Sequence, residues 1–573
     1  MRSFFASIAC AFVATALSAQ QPTDDAVFDI DSNVLVKTKN GATLSAEVIR
    51  KKGTSEPLPA ILTLDIYTDP AAHREQGKNV AARGYVSVIA DTRGKRLSPD
   101  AIDPYEHEAA DANEIIEWIT RQPWSNGKIG MWGGSYSGFT AWAATKHIPA
   151  ALKTIAVSAA AIPGLGLPMY NNVFLCANYG WPFYVADNKY LDEQTCNDPQ
   201  RWRRMQRDWF ASGRAYREID RVDGTPNPYL QRWLQHPAYD AYWQRMVPYG
   251  RDFANIGIPV LTITGYYDDG QISALHYLTE HYRHNPHAEH YLVIGPYDHF
   301  GTHSPQKNPV LRGYTIDAVA QFSTPELKMQ WMDYVLRNGP KPTLLQDRVN
   351  YEVMGANEWR HAPSLAAASR PTRLYFDDTK AEDHYRLTAA KSSKRGAVEQ
   401  SVDFRNRNIF TGFHTYPSPI VQDKLEYVTE LMFASDPFAR PTAISGVFNG
   451  ELEVAISKRD FDFTVTIYEQ QADGKLFHLG YTVGRASFAH DPTRRNLLMP
   501  GRATRIPFQT TFVARQLEVN SRLLILLDVN KNPSAQVNYG TGKDVSDESI
   551  EDGVGPLQVS WFNDSYVNVP IAR

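Results

Sequence analysis

The sequence predicts an α/β fold, a parallel sheet with helices on both faces, carrying an inserted helical cap and followed by an all-β domain. Three observations predict it. Short, buried-looking strands alternate with helical stretches over residues 30–162 and again over 251–345. Between them, residues 163–250 crowd Trp, Tyr, Arg and Asp into helical stretches with no sustained strand. After residue 345, helical periodicity gives way to short alternating runs set between Gly, Pro, Asn and Asp clusters. Strand–helix alternation means a parallel sheet, and many short strands with turn signals mean a sandwich or jelly roll. A chain of 573 residues is also too long for one core.

Taken in order, residues 1–19 read as a secretory signal peptide. Arg2 precedes the apolar run Phe4 to Leu17, and small residues at Ala16, Ser18 and Ala19 precede a polar stretch. The expectation is a secreted or periplasmic protein. No later stretch is apolar for long enough to span a bilayer, so no membrane span is expected in the mature chain. Asn33 to Arg50 alternates around Asn40-Gly41 and reads as a hairpin. Ala60–Leu64 and Val86–Ala90 are strands, joined by a helix that Gly84 caps. Glu106–Ile119 is helical, Lys128–Trp132 a strand, Ser137–His147 a helix and Ile155–Ala159 a strand. Beyond the cap, Ile258–Ile263 and His290–Ile294 resume the sheet, and a helix over Pro325–Arg337 closes it. Residues 346–573, with runs such as Phe461–Tyr468 and Arg522–Val529, form the jelly-roll domain.

The composition is that of a soluble globular protein, 43% hydrophobic and 21% charged. A net charge of -4 with no basic run argues against nucleic acid as a partner. No cofactor motif occurs. Of three cysteines, Cys10 would leave with the signal, and Cys176 and Cys196 remain as a pair able to form a disulfide after export. Neither has a Cys or His at ligand spacing, so no metal site is expected. A homo-oligomer is compatible with everything in the sequence.

The chemistry-bearing stretch is Gly130-Met131-Trp132-Gly133-Gly134-Ser135-Tyr136-Ser137-Gly138, entered by a strand and left by a helix. A serine on such a tight turn is strained and exposed, and small neighbours avoid clashes. It departs from G-x-S-x-G in carrying Ser137 at the last position, with Gly138 one later. A nucleophilic serine needs a histidine base and an acid to orient it. Two later strands end in Gly265-Tyr266-Tyr267-Asp268-Asp269 and Gly295-Pro296-Tyr297-Asp298-His299, which puts Asp268 and His299 at the carboxyl edge of the sheet beside Ser135. His303 is the nearest rival base, Asp269 is an alternative acid, and Asp298 fits a turn cap.

These stretches together resemble the cocaine-esterase and X-prolyl dipeptidyl-peptidase family of α/β-hydrolases, which includes α-amino-acid ester hydrolases and glutaryl cephalosporin acylases. Asp91-Thr92-Arg93-Gly94, Glu108-Ala109, Gln122-Pro123-Trp124-Ser125-Asn126-Gly127 and His236-Pro237-Ala238-Tyr239-Asp240-Ala241-Tyr242-Trp243 carry the likeness alongside the three motifs above. The late Gly138 is usual in that family. The resemblance implies the triad Ser135, Asp268 and His299. It also implies an oxyanion hole from the Tyr136 backbone N–H and a tyrosine hydroxyl at the position of Tyr67.

The expected activity is cleavage of a small-molecule carboxylic ester or amide through an acyl-enzyme on Ser135. An X-prolyl dipeptidyl peptidase is the alternative enzyme, and a carbohydrate- or ligand-binding protein with an inert hydrolase domain is the alternative of another class. Relatives acting on α-amino esters carry acids two and three places past the catalytic Asp, where this chain has Gly270 and Gln271. Asp187, Asp192 or Glu193 in the cap are substitutes for that role. The run Arg201-Trp202-Arg203-Arg204-Met205 suits either an acidic acyl group or a solvated helix face.

Overall fold

A computed structural model describes residues 24–304, 308–412, 418–425 and 431–573. Residues 1–19, expected to be a signal peptide, lie outside the described residues. The first sheet has ten strands: β1 (Phe28–Lys37), β2 (Thr43–Lys51), β3 (Leu58–Asp65), β4 (Val86–Asp91), β5 (Ser125–Gly134), β6 (Leu152–Ser158), β7 (Val260–Tyr267), β8 (His290–Asp298), β9 (Val349–Val353) and β10 (Glu358–Ala362). Their order is β1-β2-β4-β3-β5-β6-β7-β8-β9-β10. Pairing is parallel from β4 through β9 and antiparallel at both margins. The β1–β2 hairpin turns at Gly41, whose φ of +91° suits glycine.

Five helices cover this sheet: α1 (Pro70–Ala82), α2 (Glu108–Thr120), α3 (Tyr136–Ala144), α4 (Gln271–His284) and α5 (Thr324–Arg337). Strand periodicity decides which helix meets which face. Ile61, Ala156, Leu261 and Val293 meet Val80 of α1 and Leu327, Met332 and Leu336 of α5. Leu62, Met131 and Ile155 belong to the opposite core with Ile115, Ile116, Phe139, Trp142 and Tyr277 of α2, α3 and α4. Asp69 caps α1 by accepting from Ala71 and Ala72, and proline at the first turn needs no donor there.

The sheet continues past residue 345, into the stretch where the β-domain was expected to start. β9 runs parallel to β8 (Leu292 opposite Val349) and β10 folds back on β9. A short hairpin carries no local signal of a parallel partner far earlier in the chain, so it read as the opening of the β-domain. Between Ser369 and Ala572, twelve strands form a second, almost wholly antiparallel assembly, whose longest pair is Thr442–Ile456 with Thr504–Leu517.

The inserted segment is mostly short helices, the longest being Pro199–Ser212, with one two-residue hairpin, Met169–Tyr170 with Val173–Phe174. It holds Cys176 and Cys196, and both are free. The pairing that the sequence left open is therefore not made between them. Cys176 is buried against Tyr216, and burial pushes its thiol up to about 12. Cys196 ends a separate four-residue helix, Glu193–Cys196, and sequence spacing alone said nothing about their approach.

Candidate active site

Ser135 stands where β5 passes into α3. Its φ of 56° and ψ of -118° lie where L-residues rarely go, a strain of about 1–3 kcal/mol held by the surrounding packing. Its N–H donates to Ser158 O on β6 at 2.9 Å, and its carbonyl accepts from Phe139 N at 3.0 Å. A Cβ on Gly134 would stand 2.3 Å from His303 Nδ1, and one on Gly138 would stand 2.9 Å from Ala160 Cβ. Glycine is therefore required at both places, which accounts for the late glycine of the motif.

Asp268 follows β7 directly and is almost wholly buried. Thr264 Oγ1 and Gly270 N donate to it at 2.6 and 2.9 Å. His299 follows β8, and its Nδ1 bonds Asp268 Oδ1 at 3.1 Å. Asp269 Oδ1 lies nearer, at 2.7 Å, but is buried without an aligned hydrogen-bond partner among the described residues. Asp268 thus orients the ring, while Asp269 adds charge beside it. Burial works against a charged His299, yet Asp269 and Asp268 outweigh it and raise its pKa well above the ordinary value. Burial also pushes Asp268 up, while for Asp269 the His299 charge overrides burial and holds it at about 2. Among the described residues these three alone cluster closely enough to hold a metal, their donor atoms within 4.8 Å. The Nδ1 proton bonding Asp268 makes the cluster an acid–base pair.

The rival base His303 is placed differently. Its Nδ1 meets Ser158 Oγ at 3.0 Å, and its ring stands edge-on to His299, centroids 4.9 Å apart. Burial, aided by His299 and Lys328, keeps it neutral. Asp298 caps the next turn, accepting from Gly301 N at 2.9 Å.

Tyr67 lies in the loop after β3, its backbone N–H bonded to Asp65 Oδ1 at 3.1 Å. Trp181 Nε1, from the inserted segment, donates to its hydroxyl at 3.1 Å. Burial raises the pKa of that hydroxyl, and the Ser135 side chain and Trp181 oppose the shift as hydrogen-bonding neighbours. Tyr136 opens α3, so its N–H has no acceptor within the helix. Its own hydroxyl turns away, donating to Glu108 and accepting from Tyr105 N at 3.0 Å. Trp181 stacks on both Tyr105 and Tyr136, at 5.4 and 5.7 Å.

Ser135, Tyr67, Asp269, His299, Trp181 and Trp233 line one cavity of about 1080 Å³. Phe300, 76% exposed, stands on its rim. The two positions past the acid loop point elsewhere. Gly270 abuts Ala159, and the Gln271 side chain is spent on Gly265 O, Phe512 O and Phe512 N. In the inserted segment, Asp192 caps its helix and Glu193 accepts from Tyr184. Arg201 is bonded to Asp223 at 3.0 and 2.6 Å and stacked on Phe183 and Trp202. Other motif residues are structural: Arg93 forks onto Asp111, and His236 bonds Asp240 while its carbonyl holds Trp243. Sequence reasoning missed Trp181, which sits in a stretch without periodicity. It also missed Lys328, although a lysine four residues after Thr324 and four before Met332 falls on the buried face of α5.

Comparison with known proteins follows the same lines. The profile of the X-Pro dipeptidyl-peptidase (S15) family matches residues 40–301, and that of the X-Pro dipeptidyl-peptidase C-terminal non-catalytic domain matches residues 345–551. Cocaine esterase from Rhodococcus sp. (strain MB1 Bresler) is 22% identical over 593 residues, covering 96% of this chain and 100% of that protein. Among solved structures, an aminopeptidase from a marine-sediment Thaumarchaeota archaeon superposes with a TM-score of 0.78 at 16% identity, covering 98% of this chain and 99% of that one. An α-amino acid ester hydrolase superposes at 0.76 with 19% identity, covering 98% and 100%. At these identities the superpositions speak to the fold.

Proposed function

The chain belongs to the X-Pro dipeptidyl-peptidase (S15) family of serine hydrolases, and from that premise we propose that it cleaves carboxylic esters or amides of small molecules through an acyl-enzyme on Ser135. The observation that carries the reading is the pair His299–Asp268, bonded at 3.1 Å, of which His299 opens with Ser135 onto one cavity while Asp268 stays buried behind it. His299 takes the Ser135 proton as the hydroxyl attacks the acyl carbon, and later returns it to the leaving group. Asp268 fixes the ring so that Nε2 is the reacting nitrogen. The oxyanion is met by the Tyr67 hydroxyl and the Tyr136 N–H as charge develops on it. Water then releases the acid by the same steps reversed.

An ester or neutral amide fits better than a peptide with a free amino terminus. An ammonium group needs a carboxylate with no prior partner. Asp65, Asp269 and Glu326, the acids of the cavity wall, face His73, His299 and Arg83. We further propose that the protein acts after export, on the strength of residues 1–19 alone. N-terminal sequencing of the mature protein checks that point, and an uncleaved Met1 would refute it.

Fluorophosphonate labelling tests the central reading. The probe should attach to Ser135, and Ser135→Ala should lose both labelling and about 10⁴-fold or more of turnover on p-nitrophenyl esters. Labelling that persists in Ser135→Ala overturns the assignment.

A further inference from the structure

The cavity wall also takes in residues of α1 and α5, among them Asn79, Ala82, Pro325 and Met329, with Arg83 at the end of α1. Lys328 lines it too, and differs from the other charged residues there. Asp65, Arg83, Asp269 and Glu326 each face an opposite charge. Lys328 is 7% exposed and no carboxylate among the described residues comes within ion-pairing reach. Its Nζ donates to Ser158 Oγ at 3.2 Å and lies 5.8 Å from the centre of the Trp132 ring. Burial pulls its pKa down to about 8, with nothing opposing it. A buried cation without a counter-ion is costly to keep unless something else supplies the charge.

Hydrogen-bond direction adds a second donor. A lysine ammonium only donates, so Ser158 Oγ accepts from it and sends its own proton to His303 Nδ1, 3.0 Å away. Thr302 cannot supply that proton, because its hydroxyl already donates to His299 O at 2.8 Å. His303 is thereby the tautomer protonated on Nε2, and that atom is buried without a partner among the described residues. Lys328 on the cavity wall and the buried His303 Nε2 thus both have donor capacity that no described residue uses.

We propose that Lys328, with His303 beside it, is a subsite for an anionic group of the substrate, a carboxylate carried by the ester or amide. The proposal rests on the serine-hydrolase reading and narrows its substrate class. Ser158 ties the subsite to the nucleophile, since its carbonyl accepts from Ser135 N at 2.9 Å while its hydroxyl accepts from Lys328. The arginine run of the inserted segment does not compete for the role, because Arg201 is paired with Asp223 and none of Arg201, Arg203 and Arg204 lines the cavity.

The test uses matched esters with and without a carboxylate on each arm: mono-p-nitrophenyl glutarate against p-nitrophenyl pentanoate, and 4-acetoxybenzoate against phenyl acetate. The unmodified protein should favour the charged member of one pair by about tenfold or more in kcat/KM, mostly through KM, as one charge-assisted hydrogen bond allows. Lys328→Met should bring that ratio to unity or below, and Lys328→Arg should keep part of it. A ratio near unity in the unmodified protein for both pairs overturns the proposal, as does a preference that survives in Lys328→Met. Free glutarate should also slow fluorophosphonate labelling of Ser135 in the unmodified protein and not in Lys328→Met. This arm reads the subsite without turnover, and a protein that takes no label at all speaks against the hydrolase reading instead.

Discussion

Tyr67 offers a test of one atom. Its hydroxyl accepts from Trp181, which leaves its own proton free for the oxyanion. Tyr67→Phe keeps the ring contacts to Tyr136 and Tyr184 and should cost about 10²–10³-fold in kcat with little change in KM. Retention of kcat within about threefold, far short of a lost donor, would make Tyr67 scaffolding. Asp269 is tested by pH. The base must be unprotonated, so kcat/KM rises with pH through the His299 pKa, which Asp269 and Asp268 hold high against burial. Removing one charge in Asp269→Asn should move that acid limb to lower pH. An unmoved limb rules out Asp269 as a source of the shift, and a loss approaching about 10⁴-fold would make it the orienting acid in place of Asp268. That Ser135, Asp268 and His299 stand at strand ends on one edge of the sheet was legible in the sequence, because strand ends and turn residues are local signals. The nearness of Asp269 Oδ1, the role of His303 and the exposure of Lys328 to the cavity were not, since each depends on which way a ring or stem turns.

At the scale of elements, the strand and helix pattern of the first sheet was readable from periodicity, from Ala60–Leu64 to Pro325–Arg337. β9 was not, because a parallel partner leaves no mark on a five-residue run. It places Glu352 in the core, where neither carboxylate oxygen receives a hydrogen bond from a described residue. Burial, with Asp317 beside it, pushes Glu352 up to about 9, so it stays protonated at neutral pH. The native state then holds a proton that the unfolded chain releases near the ordinary glutamate value of 4.5. This contribution is full below that value and falls as pH rises towards about 9, by at most about 1.4 kcal/mol per pH unit. Glu352→Gln should flatten the decline, so its Tm gain over the unmodified protein should grow from pH 5 to 9. A gain independent of pH would show that Glu352 is not the group titrating.

Across the whole molecule, the β-domain is built into the active-site edge of the first sheet. Gln271, three residues past Asp268, bonds both the N–H and the carbonyl of Phe512, at 2.7 and 3.0 Å. The Tyr267 hydroxyl, one residue before Asp268, donates to His478 O at 3.1 Å. Met354 exchanges backbone bonds with Ala514 and Gln516, at 3.1 and 2.9 Å. Gln271→Ala strands buried groups in both domains, each costing about 1–3 kcal/mol. It should therefore lower Tm and kcat together. A fall in Tm with kcat intact would mean that the acid loop holds its shape unaided. These cross-domain bonds were invisible in the sequence, where Gln271 stood out only as a missing acid.

The acid loop is thus braced from outside its own domain, and this makes the enzyme's rate a reporter on a part of the chain that does no chemistry. Loosening of the twelve-stranded assembly, by heat, denaturant or a distant substitution, would first register as a misaligned imidazole and only later as lost secondary structure. A simple ester assay would then serve as a sensor of the folding state of the non-catalytic half, read out at a single histidine.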